Sequence, residues 1–131
     1  MLFRSIDESV TRFEMPNLIN EDLAESLKIL GENNSSDVVL IGDGNRVIQT
    51  YPSRGTSINS KDKIMLVTNS RNIEVPNFYN WSSRNVRTYC RMVQIDCQIE
   101  GYGYVYNQSV ETGTQVTDET ELIVNLRTRI E

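Results

Sequence analysis

The chain has 131 residues, 38% of them apolar and none of them histidine, a composition suited to one globular domain or two small ones. Thirteen basic against eighteen acidic residues leave a net charge of −5, which argues against a general nucleic-acid binder. The missing histidines remove the commonest general base and the commonest transition-metal ligand together. No apolar run approaches the roughly 20 residues that cross a bilayer and no signal peptide opens the sequence, so no membrane contact by this chain itself is expected.

Taken in chain order, residues 1–14 have weak periodicity and mixed charge and read as a linker. A first unit is expected over residues 15–68. Pro16 biases Met15 to extended backbone, so Met15 to Ile19 reads as a short strand or lead-in. Asp22 then stands as an N-cap with Glu25 as its capping-box partner. Leu23, Leu27 and Leu30 recur at helical spacing, beside Ala24 and Ile29, and Gly31 with the polar run after it stops the helix. Three β runs follow: Val38 to Ile41, Val47 to Pro52 and Lys63 to Val67. Gly42-Asp43-Gly44 and Arg54-Gly55-Thr56 are the turns between them.

Residues 69–74 are short and polar and read as a linker without a proline spacer. Residues 75–127 then repeat the plan. Val75-Pro76-Asn77-Phe78-Tyr79-Asn80 answers Met15-Pro16-Asn17-Leu18-Ile19-Asn20, and Ser82 takes the cap position of Asp22. Val86, Tyr89, Cys90 and Val93 line one helical face, while Ile95, Cys97 and Ile99 alternate along the next strand. Gly101-Tyr102-Gly103 answers Gly42-Asp43-Gly44, Gly113-Thr114 answers Gly55-Thr56, and Leu122-Ile123-Val124 answers Ile64-Met65-Leu66. The expected class is α+β: two tandem βαβββ modules, each one helix on a small three-stranded sheet. Because a ~60-residue domain is marginal alone, a compact pairing of the modules is expected.

These repeated positions resemble PASTA domains, the small modules of penicillin-binding proteins and of serine/threonine kinases of bacterial envelopes. A Pro-Asn opening, a hydrophobic pair, a helix, a Gly-x-Gly bend, a Gln-Ser strand and a Gly-Thr turn carry the resemblance. It covers about residues 15 to 127. Pro76-Asn77-Phe78-Tyr79-Asn80-Trp81-Ser82 and Gly101-Tyr102-Gly103-Tyr104-Val105 look most like the last module of division-type class B penicillin-binding proteins. The chain departs from the family at Asn20 and Asn80, where glycine is usual, and at Val110, where proline is. Asparagine is the next best tolerated residue at positive φ.

The resemblance implies the C-terminal modules of a membrane-anchored transpeptidase of septal peptidoglycan synthesis and cell division, on the extracytoplasmic side of the membrane. Its partners would be divisome or cell-wall synthesis proteins, its own transpeptidase domain and peptidoglycan. The alternative it implies is a muropeptide-sensing ectodomain of a PASTA-bearing kinase.

The residues themselves offer little chemistry. The Gly-x-Gly pairs do not extend to Gly-x-Gly-x-x-Gly and precede no helix, so a hairpin bend or bulge is the better reading than a phosphate loop. Two cysteines without histidine make neither a metal site nor a nucleophile–base pair. Buried free thiols are the preferred state of Cys90 and Cys97, with a disulfide as the alternative. The carboxylates fall at caps, turns and strand ends. No catalytic residue, metal site or cofactor is expected. The one candidate interaction surface joins Trp81, Arg84 and Arg87 at the second helix entrance to Tyr102, Tyr104 and Tyr106, which alternate toward one strand face. Such a surface suits a sugar or stem-peptide carboxylate, docking of a module or larger partner, or packing of Trp81 over its own helix start.

Overall fold

The computed structural model describes residues 12–128, which form two compact units dividing between Ser70 and Arg71. The first unit contains β1 (Arg12–Glu14), α1 (Leu23–Glu32), β2 (Val38–Ile41), β3 (Val47–Tyr51), β4 (Ser57–Asn59) and β5 (Ile64–Thr68). The second contains α2 (Ser83–Val93), β6 (Asp96–Gly101), β7 (Tyr104–Gln108) and β8 (Glu121–Arg127). Both are α+β units, one helix with a three-stranded sheet.

In each sheet the last strand of the unit lies in the middle. The orders are β2-β5-β3 and β6-β8-β7, with the middle strand parallel to the first and antiparallel to the second. This corrects the hairpin reading of the Gly-x-Gly bends, because the strands they join are not neighbours. Each bend instead carries the chain across the end of the middle strand. A Cβ on Gly101 would stand 2.3 Å from Leu126 O, and one on Gly103 would stand 2.3 Å from Arg127 O. Both glycines also have positive φ, 93° and 100°, so close backbone approach and conformation select the same residue. A register shift recurs after Val47 in β3 and after Val105 in β7, so the two bulges coincide as well.

The lead-ins explain the repeated Pro-Asn motif. Asn17 Oδ1 accepts from Ile19 N–H and Asn77 Oδ1 from Tyr79 N–H, an Asx turn in each unit. Leu18 and Phe78 are thereby buried, while Ile19 and Tyr79 face outward. Asn20 and Asn80 then take φ of 71° and 72°, a conformation that asparagine tolerates next best after glycine. Their N–H groups donate to Val47 O (2.7 Å) and Val105 O (2.8 Å), bolting each helix entrance to its neighbouring strand.

Before the first lead-in, Arg12–Glu14 pair antiparallel with Ser57–Asn59. These residues were expected to be linker; the alternation of Phe13 between Arg12 and Glu14 is too short to mark a strand without its partner. Residues 1–11 of that expected linker lie outside the described residues. The second unit has a single bridge, Glu74 with Gln115, in the same place.

Two helix details differ from expectation. Asp22 makes no side-chain cap bond, so the capping box with Glu25 does not form. The Leu23 N–H donates to Asn45 O at 2.8 Å and Asp22 is held by a bridge to Arg46, so neighbouring backbone satisfies one of the helix's first N–H groups. Ser82 does cap α2, its hydroxyl accepting from Asn85 N–H at 3.3 Å. On α1 the inward stripe runs through half-buried Leu23 and buried Ser26 and Leu30, and Leu27 lies at its edge.

The core of the first unit gathers Met15, Leu18, Leu30, Val47, Ile58, Ile64 and Leu66. In the second, Val75, Phe78, Val86, Tyr89, Val105, Leu122, Val124 and Leu126 are buried. Each such side chain contributes about 1.5–3 kcal/mol by leaving water, which for modules this small is most of the driving force. The thiols do not remain free: Cys90 on α2 and Cys97 on β6 form a disulfide with a Cα–Cα separation of 6.3 Å. The helix face and the strand face converge within the roughly 4.4–6.8 Å that a disulfide spans, which spacing in the sequence alone did not decide.

Candidate interaction surface

Phe78 and Tyr89 decide where Trp81 goes. The lead-in buries Phe78, α2 buries Tyr89, and Trp81 closes the group edge-on, with ring centroids 4.8 Å from Phe78 and 6.1 Å from Tyr89. Phe78 and Tyr89 are themselves 5.1 Å apart, also edge to face, the arrangement aromatic quadrupoles favour. Trp81 is only 7% exposed, so it does not belong to a contact surface. It is a core residue of the second unit. Tyr89 lies so deep that burial pushes its hydroxyl up to about 12, and its Oη has no hydrogen-bond partner.

The other expected site residues remain outside. Arg84 and Arg87 are exposed on α2. Ser82 bridges Tyr104, which places the start of β7 beside the N-terminus of α2. Tyr104 and Tyr106 flank buried Val105, so they take the outward side of β7. Tyr102 does not share that strand face. It stands between the positive-φ glycines Gly101 and Gly103, in the bend rather than the strand, and is 85% exposed.

The outward side of the second sheet is polar and internally bonded. Gln98 Nε2 donates to Glu100 Oε2 (2.6 Å), Asn125 Nδ2 to Glu100 Oε1 (3.2 Å) and Asn107 Nδ2 to Asn125 Oδ1 (3.2 Å). This row crosses β6, β8 and β7 in turn. Arg127 lies over the Tyr106 ring, its guanidinium carbon 4.8 Å from the centroid. Tyr79 and Ile123 are further exposed apolar side chains of this unit. Tyr79, Asn107, Asn125 and Arg127 were not singled out from the sequence. For Tyr79 the signal was the in–out alternation of the hydrophobic pair after Pro-Asn; for the row, only strand register reveals it.

Chemically, this surface offers hydrogen bonds, an aromatic face and guanidinium groups for binding. Among the described residues no group of three or more His, Cys, Asp or Glu stands close enough to hold a metal ion. No helix among them is long and apolar enough to cross a membrane.

Comparison with known proteins agrees with this architecture. Residues 13–70, within the first unit, match the PASTA domain family. Both units together are similar to part of the crystal structure of penicillin-binding protein 2X from Streptococcus thermophilus. There the TM-score is 0.77 at 24% identity, covering 89% of this chain and 17% of that one. The whole extracellular region of a Ser/Thr kinase from Staphylococcus aureus matches with a TM-score of 0.40 at 18% identity, covering 88% of this chain and 46% of that one. A three-PASTA-domain structure of a Ser/Thr kinase from the same organism gives 0.35 at 18%, covering 86% and 66%. The chain thus spans about a sixth of the length of the penicillin-binding protein it matches.

Proposed function

We propose that this chain is the non-catalytic PASTA pair of a penicillin-binding protein that works at the extracytoplasmic face of the bacterial membrane in septal peptidoglycan synthesis. Its task is positioning. The units present recognition surfaces to divisome or cell-wall synthesis proteins, to the transpeptidase domain of the same protein and to peptidoglycan, while the chemistry resides elsewhere in the parent. The observation that supports this reading is the likeness of both units in tandem to penicillin-binding protein 2X. A surface built from Tyr102, Tyr104, Tyr106, Arg84, Arg87 and Arg127 suits contact rather than catalysis.

The test uses the native parent protein. An antibody raised against this chain is used to precipitate the parent from membranes incubated with fluorescent penicillin, and separately from membranes incubated with labelled ATP. A penicillin-labelled band, with the same antibody staining septa in intact cells, supports the proposal. A band labelled through the γ-phosphate of ATP and not by penicillin overturns it in favour of a kinase ectodomain.

A further inference from the structure

We infer that Cys97 is a redox modification site, through which a dithiol oxidoreductase opens and closes the second unit while leaving the first untouched. The inference goes beyond the proposed parent and holds for either.

The two units solve one packing problem in different ways. Leu30 stands as far beyond Asp22 as Cys90 stands beyond Ser82, and Val38 faces Ile64 in its ladder as Cys97 faces Leu122. In the first unit Leu30 is buried and Val38 packs against the same core, so the end of the helix meets the first sheet strand through apolar contact. In the second unit that contact is a covalent bridge. The substitution has a cost. Cysteine is smaller than leucine or valine, so a reduced pair leaves less apolar surface in contact at a joint that must hold α2 to β6.

Exposure differs between the two residues. Cys90 is 4% exposed, whereas Cys97 is partly open to solvent at the start of the edge strand β6. A thiolate of the oxidoreductase attacks Cys97 Sγ, the Cys90–Cys97 bond breaks and Cys90 leaves as the thiolate, taking up a proton. The second thiol of the oxidoreductase then resolves the mixed disulfide, releasing Cys97 as a thiol and the enzyme as its disulfide. Two electrons pass to the protein, and the reverse sequence closes the bridge. Because disulfides persist outside the cytosol, the second unit is complete only in an oxidising compartment.

Trp81 makes this measurable, because it is the only tryptophan and lies in the second unit's core. The whole chain, purified from an oxidising compartment, is unfolded in urea with and without dithiothreitol while Trp81 emission is followed. Closing a short loop predicts that reduction raises the unfolded-to-folded ratio of the second unit roughly 10–100-fold. Cys97→Ser should behave as the reduced protein does, and Cys90→Leu/Cys97→Val, which installs the first unit's pair, should not respond to dithiothreitol. Without reductant, iodoacetamide should label neither thiol. Labelling of both in the native protein, or a Cys97→Ser chain with the same Trp81 transition as oxidised wild type, overturns the inference.

Discussion

Gln108 reaches from the end of β7 to the lead-in of its own unit, where its Oε1 accepts from Phe78 N–H at 2.9 Å. Its Nε2 donates to Pro76 O at 3.1 Å and to Val110 O at 2.7 Å. One amide thus fixes the backbone around the aromatic core. Gln108→Ala should destabilise the second unit by about 2–4 kcal/mol, since backbone groups are left without partners. Gln49 looks like its sequence counterpart but is exposed, and register gives that slot to Thr50, opposite Leu66 as Gln108 is opposite Val124. Gln49→Ala should therefore change stability by less than about 0.5 kcal/mol. Urea unfolding followed by far-ultraviolet circular dichroism checks both, and Trp81 emission isolates the first.

Glycines of similar positive φ should differ in what they tolerate. Gly103→Ala meets Arg127 O and should cost about 3 kcal/mol or more. Gly113 has φ of 93° but open space around it, so Gly113→Ala should cost only about 1–2 kcal/mol. Thermal melts of the two variants, compared through Trp81, decide the point. Equal losses would mean that the crossing at β8 is not the constraint.

Tyr89 gives the second unit a pH dependence on the alkaline side. Burial pushes its folded value up to about 12, above the ordinary phenol value of 10.0, and so favours the neutral form. That stabilisation is complete below pH ~10 and is lost as pH rises toward ~12, by about 2–3 kcal/mol across the window. Tyr89→Phe should abolish this loss. Because the Oη has no hydrogen-bond partner, the same variant should be neutral or slightly more stable at pH 7. Urea midpoints of wild type and variant at pH 7, 10 and 11.5 provide the measurement.

The two caps should also separate. Ser82→Ala should cost about 1 kcal/mol and Asp22→Ala under about 0.5 kcal/mol, because only Ser82 makes the side-chain bond. Amide hydrogen exchange in the first turn of each helix reports the difference directly.

Much of this fold was legible from local pattern. The Pro-Asn lead-ins, both helices and the three sheet strands of each unit follow from periodicity and punctuation, and Asn20 and Asn80 were readable as positive-φ positions. What depended on partners distant in sequence was not. Strand order, the Arg12–Glu14 ladder and the bonded row across the second sheet exist only through register with strands tens of residues away. Trp81 illustrates the same limit at a residue. Its place before a helix suggested an exposed platform or a staple, and only convergence with Phe78 and Tyr89 makes it core.

The placement of each unit's last strand has a consequence for synthesis. Among the described residues β6 pairs only with β8, and so does β7. A chain emerging from a ribosome or a translocation channel therefore holds no sheet partner for β6 or β7 until Glu121 to Arg127 arrive to wedge between them. The first unit reaches the same point once Ile64 to Thr68 have appeared. Each module is thus completed in a single late event, and a product ending before its final strand presents two open strand edges to whatever chaperone or protease it meets.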